Sequence, residues 1–255
     1  MTVSHRVMQQ DAFVLHSYPY RESSLLLEVF SRQHGRFGAI ARGTRNSRSH
    51  SRVLLQPFQP LSLSWSGKGD LHTITTIEPR GAAYRFNADN LMSAFYINEL
   101  LIKLLHRHDP HEDLFGVYEN VLADFSFNAG LDSMNTESRL RLFEKRLMEE
   151  LGYGLSFTEI QGEDGNIDDE GVYGYVPGHG VVPVADGKLR LSGRTLRAIA
   201  DESLMDRQVL KEAKQLMKCV IEHYLGNSNL NTRNTLISMN SLMKNINKLD
   251  GQPDE

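Results

Sequence analysis

The sequence predicts an α+β protein with its strands and helices segregated: a small β-barrel or sandwich over residues 1–80, then an α-helical domain over residues 81–255. Three observations carry this reading. Five short apolar or β-branched runs, separated by turn residues, fill the first 80 positions. After Pro79 the apolar spacing lengthens to that of helices. The charge divides at the same place: residues 1–80 hold ten basic side chains against five acids, so they carry +5 and the remainder −9 of the net −4. Such asymmetry points to a polyanion as the partner of the first part.

The five runs are Ala12–Ser17, Ser24–Phe30, Phe37–Arg42, Phe58–Trp65 and Leu71–Glu78. Pro19, Gly35, Gly43 with a Ser/Arg-rich stretch, and Gly67-Lys68-Gly69-Asp70 punctuate them, the last as a hairpin turn. The helical stripes follow. Leu91, Phe95, Leu101 and Leu105 make one, and Leu114, Tyr118, Val121 and Phe125 a second. A third spans about Thr136 to Leu151, with Gly152 placed to end it in the left-handed conformation. Val209 to Tyr224 make a fourth, and Leu236 to Met243 a short last one. Between the third and fourth lies an insert, residues 153–192, with an acidic run (Glu159 to Glu170) and a hairpin of Val172–Val176 with Val181–Val184.

Composition excludes several chemistries. Cys219 is the single cysteine, so no intrachain disulfide, Cys-rich zinc site or CxxC redox pair can form, which suits a reducing cytoplasm. The polar segment Met1 to Asp11 predicts no signal peptide, and no apolar run predicts a membrane span. Phosphate-loop, dinucleotide and nucleophile-elbow motifs are missing. His106, His108 and His111 have the residue types of a metal site, but Pro110 interrupts the helix through them and a polar turn is the better reading. Asp164-x-Asn166-x-Asp168 begins like a calcium loop and fails at its sixth and twelfth positions. No metal or other cofactor is expected.

The densest chemical feature is Arg32, Arg36, Arg42, Arg45, Arg48 and Arg52, six arginines over 21 residues without an acid. The planar guanidinium fork matches phosphate oxygens, and a Ser/Gly loop at Gly43–Ser51 lets long side chains follow a nucleic-acid backbone. The competing reading is a solvated basic loop. A basic groove on a five-stranded barrel pairs with aromatic stacking platforms in single-strand binders. Phe37, Phe58 and Trp65 are the candidates: Phe58 reads as core, and Trp65, at a strand end, as the exposed platform, with Lys68 adding a cation.

Ala12-Phe13-Val14-Leu15, Tyr20-Arg21-Glu22-Ser23-Ser24-Leu25-Leu26, Val29-Phe30, Gly35-Arg36, Ala41-Arg42-Gly43 and Leu55-Gln56-Pro57-Phe58 stand in the order found in the RecO family of bacterial recombination mediators, which this sequence resembles. Gly67-Lys68-Gly69-Asp70-Leu71, Tyr96-Ile97-Asn98-Glu99-Leu100-Leu101, Leu140-Arg141-Leu142-Phe143-Glu144 and Leu151-Gly152-Tyr153 continue the match, which covers residues 12–153 and, more weakly, Ser192–Arg233. The resemblance implies an N-terminal OB-fold barrel on an α-helical C-terminal domain. It implies a non-enzymatic mediator of the RecF pathway at the bacterial nucleoid. Such a protein binds single- and double-stranded DNA and anneals complementary strands without hydrolysing ATP. With RecR it helps RecA load onto DNA coated by single-stranded DNA-binding protein, whose acidic C-terminal tail it also binds. Arg141 is then the position that holds the tail's terminal carboxylate, Lys145 reinforces the charge, and Leu140 and Phe143 wall the pocket. One departure stands out: many members carry a four-cysteine zinc module after the Leu-Gly-Tyr motif, and here the acidic run and hairpin occupy its place. Readings of another class are a small cytoplasmic hydrolase using the insert or the histidines, and a purely protein-binding adaptor.

Overall fold

The computed structural model describes residues 6–45, 50–126, 133–153, 157, 159–160, 166–185, 189–226, 228 and 230–232. Its first part contains β1 (Arg6–Tyr20), β2 (Ser24–Ser31), β3 (Gly35–Ala41), α1 (His50–Leu54), β4 (Leu61–Ser66) and β5 (Leu71–Pro79). The strands close into a barrel in the order β1-β2-β3-β5-β4. Every pair is antiparallel except β3 with β5, which run parallel from Gly38↔Leu71 to Ile40↔Thr73. This is the five-stranded OB barrel, in which closure removes the exposed sheet edges that would otherwise invite aggregation. Alternate residues such as Val14, Leu27, Val29, Phe37 and Leu63 fill its interior. The Ser/Arg-rich stretch, read from sequence as loop throughout, contains the five-residue α1, whose end delivers Leu54 and Leu55 into the same interior.

The second part has α2 (Ala88–Leu104), α3 (Glu112–Phe125), α4 (Ser133–Glu150), the three-stranded sheet of β6 (Val172–Val176), β7 (Gly180–Pro183) and β8 (Leu189–Ser192), then α5 (Gly193–Ala200) and α6 (Arg207–Leu225). The expected hairpin is β6–β7, and β8 on its other side is an addition. Short polar side chains begin α2, α5 and α6, where they satisfy first-turn amides that lack intrahelical partners. The Asn87 side chain accepts from Asn90 N, Ser192 Oγ from Thr195 N, and Asp206 from Gln208 N and Val209 N. Gly152, at φ +76°, ends α4, while Tyr153 N donates to Met148 O. The helix expected at Leu236 to Met243 lies outside the described residues.

The barrel does not bury its strands on one face only. Ala12 and Val14 point into the barrel, and Phe13 and Leu15 point out into a core shared with α2 and α3. That is why β1 reads as an unbroken apolar run and not as an alternation. Phe13 lies edge-on to Tyr118 at 5.2 Å, and Phe30 packs on Phe115 at 5.3 Å. The β1–β2 register slips between Val14 and His16, a bulge that frees the Leu15 carbonyl from strand pairing. Asn98 Nδ2 of α2 donates to that carbonyl at 2.9 Å, and the buried Tyr118 hydroxyl of α3 donates to Asn98 Oδ1 at 2.7 Å.

The α2–α3 connection is joined to the β2–β3 turn by backbone. His108 N donates to Arg36 O at 2.8 Å. Gly35, at φ +62°, lies so close to the connection that a Cβ there would stand 2.0 Å from Asp109 O. Gly43 has a similar φ of +69° but open space around it. Gly35→Ala should therefore destabilise by about 3 kcal/mol, combining left-handed strain with a backbone clash, against about 1 kcal/mol for Gly43→Ala. Urea denaturation of the two variants checks the difference.

Candidate nucleic-acid interface and partner pocket

The arginine run does not form one surface. Arg32 lies over the Phe115 ring at 4.6 Å, bonds Glu119 at 3.2 Å and approaches Asp11 at 3.8 Å, beside Arg80, which pairs with the same two acids. Arg36 is held more tightly. Its Nη1 meets Glu28 at 2.7 Å, and its Nε and Nη2 both donate to the Leu105 carbonyl, at 3.1 and 2.9 Å. Arg107 pairs with the other oxygen of Glu28. Arg32 and Arg36, expected on a DNA surface, are engaged in joining the barrel to the helices, where Glu119 and the Leu105 carbonyl, each more than 60 residues distant, face them.

Arg42, Arg45, Arg52 and Lys68 are exposed, and Arg48 lies outside the described residues. Local bonds shape the loop that carries them. Thr44 Oγ1 donates to Ala41 O at 2.9 Å, and Arg45 N donates to Ser23 O at 3.0 Å. Arg45 Nη1 reaches Arg21 O at 2.6 Å, and Arg52 Nη1 reaches Arg45 O at 3.0 Å. These contacts draw Arg21, in the β1–β2 turn, into the cluster, a residue the sequence analysis had not singled out. Arg45 and Arg52 each use one guanidinium nitrogen in these bonds, out of the five N–H donors that each side chain carries.

Phe58 lies in the core, as its sequence context suggests, but Trp65 and Phe37 do not form exposed platforms. Trp65 is 2% exposed, Phe37 1% and Phe58 5%. Trp65 sits at a strand end but points into the barrel. The aromatic surface beside the arginines is Tyr18, 47% exposed with its ring 4.2 Å from His16, and Tyr20, over which Arg21 lies at 5.2 Å. The Tyr18-Pro19-Tyr20-Arg21 string was the available signal. Two tyrosines two positions apart on one strand share a face.

The three histidines diverge. His106 is exposed, His108 stacks near Phe37, and His111 faces Asp109 at 3.5 Å and Glu150 at 3.4 Å. Among the described residues no group of three or more His, Cys, Asp or Glu side chains is arranged to hold a metal.

A second site lies between α2, α4 and α6, where a cavity of about 750 Å³ is lined by Tyr96, Leu140, Arg141, Lys214, Lys218, Ile221 and Leu230 among others. Leu140 and Arg141 are at the cavity. Phe143 and Lys145 are not: Phe143 is buried in the core, and Lys145 turns to Glu202 at 2.9 Å and Glu149 at 3.1 Å. Spacings of three residues from Leu140 and four from Arg141 put them at neighbouring positions of α4, yet the core claims the Phe143 ring and two glutamates claim the Lys145 ammonium. The cations beside Arg141 on the lining are Lys214 and Lys218 of α6. Their i,i+4 spacing puts them on one face, but nothing in the sequence says that this face meets α4. Arg141 is 7% exposed, and its Nη1 lies 3.0 Å from Glu144 Oε2. Among the described residues its Nε has no hydrogen-bond partner. Burial pushes the Glu144 carboxyl above its ordinary range, against the opposing pull of Arg141 and of the Tyr96 hydroxyl, which donates to it at 2.7 Å. The cavity thus sets Arg141, Lys214 and Lys218 beside apolar walls, with Lys214 paired to Glu137 at 3.0 Å and Lys218 near Glu222 at 3.9 Å on the same lining.

An OB barrel with exposed arginines on its β3–β4 loop, followed by a helical part, is an architecture of oligonucleotide-binding proteins. The family model described as Recombination protein O N terminal matches residues 5–82, and that described as Recombination protein O C terminal matches residues 85–234. The DNA repair protein RecO of Nitrosococcus oceani is 39% identical over 251 residues, covering 97% of this chain and 100% of its own. Those of Alkalilimnicola ehrlichii and Methylococcus capsulatus are each 42% identical, over 233 and 229 residues, covering 89% of this chain and 90% and 92% of their own. The chain belongs to the RecO family of DNA repair and recombination proteins. Among the described residues no helix is long and apolar enough to cross a membrane.

One wall of the cavity is held by a carboxylate. Glu99 of α2 accepts from Asn231 N at 2.7 Å, Thr232 N at 2.9 Å and Thr232 Oγ1 at 2.6 Å, fixing Leu230 beside it. Burial alone would raise this carboxyl, but the Thr232 and Asn231 bonds with nearby Lys103 hold it below its ordinary range. A depressed carboxyl stabilises the fold above its unfolded value, and that contribution is lost as pH falls through the folded one. Glu99→Gln should cost about 1 kcal/mol at neutral pH and progressively less as acid protonates the wild-type carboxylate. Thermal unfolding of both proteins across pH 3–7 checks the convergence.

Proposed function

We propose that this protein is a non-enzymatic mediator at the bacterial nucleoid that binds single- and double-stranded DNA, anneals complementary strands, and with RecR assists RecA loading onto DNA coated by single-stranded DNA-binding protein. In this reading residues 1–80 form the DNA-binding unit and residues 81–255 the partner-binding one. The observation that carries it is the division of the arginine run: Arg32 and Arg36 are consumed in joining the parts, while Arg42, Arg45 and Arg52 stay exposed beside Tyr18 and Tyr20. A basic rim next to exposed rings suits a strand whose phosphates are paired and whose bases stack. Lys68, in the β4–β5 turn, borders the face that OB barrels use for oligonucleotides. Strand annealing with and without the cognate single-stranded DNA-binding protein tests the reading. A chain that neither anneals nor binds an oligonucleotide contradicts it.

Phosphate contacts release counterions, so affinity falls with salt by roughly 0.7 log unit per contact per tenfold salt on single strands. Replacing Arg42, Arg45 and Arg52 together with Ala should shrink the log–log salt slope by about 2. Arg36→Ala should leave that slope unchanged and lower the melting temperature instead. Titrations at four or five salt concentrations separate the two outcomes.

The tail of single-stranded DNA-binding protein, which resemblance to the family assigns as partner, ends in acidic residues, an apolar side chain and a free carboxylate. Arg141 with Lys214 and Lys218 supplies the charge for it, and Leu140, Ile221 and Leu230 the apolar wall. Arg141→Ala should weaken a tail peptide about tenfold to a hundredfold, since a charge-assisted bond contributes about 1.5–3 kcal/mol, and should leave naked-DNA affinity within twofold. Fluorescence anisotropy with labelled peptide and labelled oligonucleotide checks both halves.

A further inference from the structure

A second cavity, of about 180 Å³, opens where the β2–β3 turn, the β4–β5 turn and the α2–α3 connection meet, and it is unlike the larger one. Rings line it. Trp65 and Phe37 are 4.6 Å apart, His34 stands edge-on to Trp65 at 5.2 Å, and His72 stands edge-on to Phe37 at 5.3 Å. His108 closes the group from the helical side, its ring within 15° of parallel to Phe37 and edge-on to His72 at 5.4 Å. The remaining lining includes Gly67, where a Cβ would stand 3.4 Å from the His72 backbone.

We infer that this cavity takes a single unstacked nucleobase of a DNA strand bound to the barrel, an inference that rests on the DNA-binding reading above. The volume equals about six water molecules, enough for one flat ring system and too little for a peptide segment or a whole nucleotide. His34, His72 and His108 form its accessible rim around the buried Phe37 and Trp65, and such rings attract any base through its π-face. His108 holds φ +60°, a conformation uncommon outside glycine, and residues kept in it concentrate at sites where the strain serves a function. Here the left-handed backbone turns the imidazole over Phe37 while His108 N is anchored on Arg36 O. The β4–β5 turn that borders the cavity is also one of the loops through which OB barrels hold oligonucleotides. A base seated there touches both parts of the protein at once.

Trp65 is the only tryptophan, so its fluorescence reports occupancy of the cavity directly. The full chain is titrated with an oligothymidylate and with an abasic strand of equal length, binding being followed in parallel by anisotropy of an end label. The expected result is Trp65 quenching at saturation with oligothymidylate and none with the abasic strand. His34→Ala should remove the quenching and weaken oligothymidylate about tenfold, without changing abasic affinity. Arg42→Ala with Arg45→Ala should weaken both strands yet leave the quenching at saturation intact. Saturation by anisotropy with unchanged tryptophan emission, or equal quenching by the abasic strand, overturns the base pocket and leaves the DNA-binding reading standing. No anisotropy change with either strand overturns both.

Discussion

Glu28 is the group on which the arrangement of the two parts depends. Its carboxylate sits on the outer face of β2, where an OB barrel leaves its ligand-facing sheet open, and it carries Arg36 on one oxygen and Arg107 on the other. Glu28 and Arg36 are each 12% exposed at the side chain. A pair so enclosed gains little net stability over apolar packing, but removing one member strands the other charge at a cost of about 3–5 kcal/mol. Its importance is therefore geometric. Because Arg36 also takes the Leu105 carbonyl, the end of α2 has one place to go, and the connection that follows is laid along the β2–β3 turn. The small ring-lined cavity and the close approach at Gly35 follow from that placement.

The same constraint divides the basic residues by role. An arginine can serve either a phosphate or an internal carboxylate, and near the β2–β3 turn the internal partners win because they are pre-positioned and partly desolvated. At the opposite end of β3, Arg42, Arg45 and Arg52 form no ion pair among the described residues, and Thr44 and Arg45 shape the loop with bonds to backbone carbonyls. The protein thus has a structural arginine set and a surface one, only a few residues apart in sequence and at opposite ends of one strand.

Much of the fold was legible because its signals are local. Turn glycines, the change of apolar period at Pro79, and Gly152 at a helix end each act within a few residues, and they placed the five strands and the four long helices. What was not legible depends on distant partners. Arg32 and Arg36 look like their neighbours until Glu119 and Leu105 are brought beside them. Trp65 sits at a strand end, where exposure is a fair expectation, and only barrel closure turns it inward. Leu140 and Arg141 could be located from the family motif, yet the cations that complete their pocket lie on α6, and nothing in the pattern Lys211-x-x-Lys214-x-x-x-Lys218 says which helix that face meets. β8 and α5 are short and carry too few apolar residues to show a period.

The two-sided burial of β1 has a consequence for how the chain comes to be made. Phe13, Phe30 and Phe58 are fully or almost fully covered only once α2 and α3 are present, and each such ring is stabilised by about 1.5–3 kcal/mol when removed from water. A ribosome extending the chain at about 5–20 residues per second needs roughly 2–9 s to add the 45 residues between Arg80 and Phe125. During that interval a nascent barrel displays a greasy aromatic flank with nothing to lie on it. The barrel is therefore not a free-standing module with helices appended. Its outer wall is the inner wall of its neighbour, and a fragment cut after β5 would carry away an adhesive surface in place of a finished one.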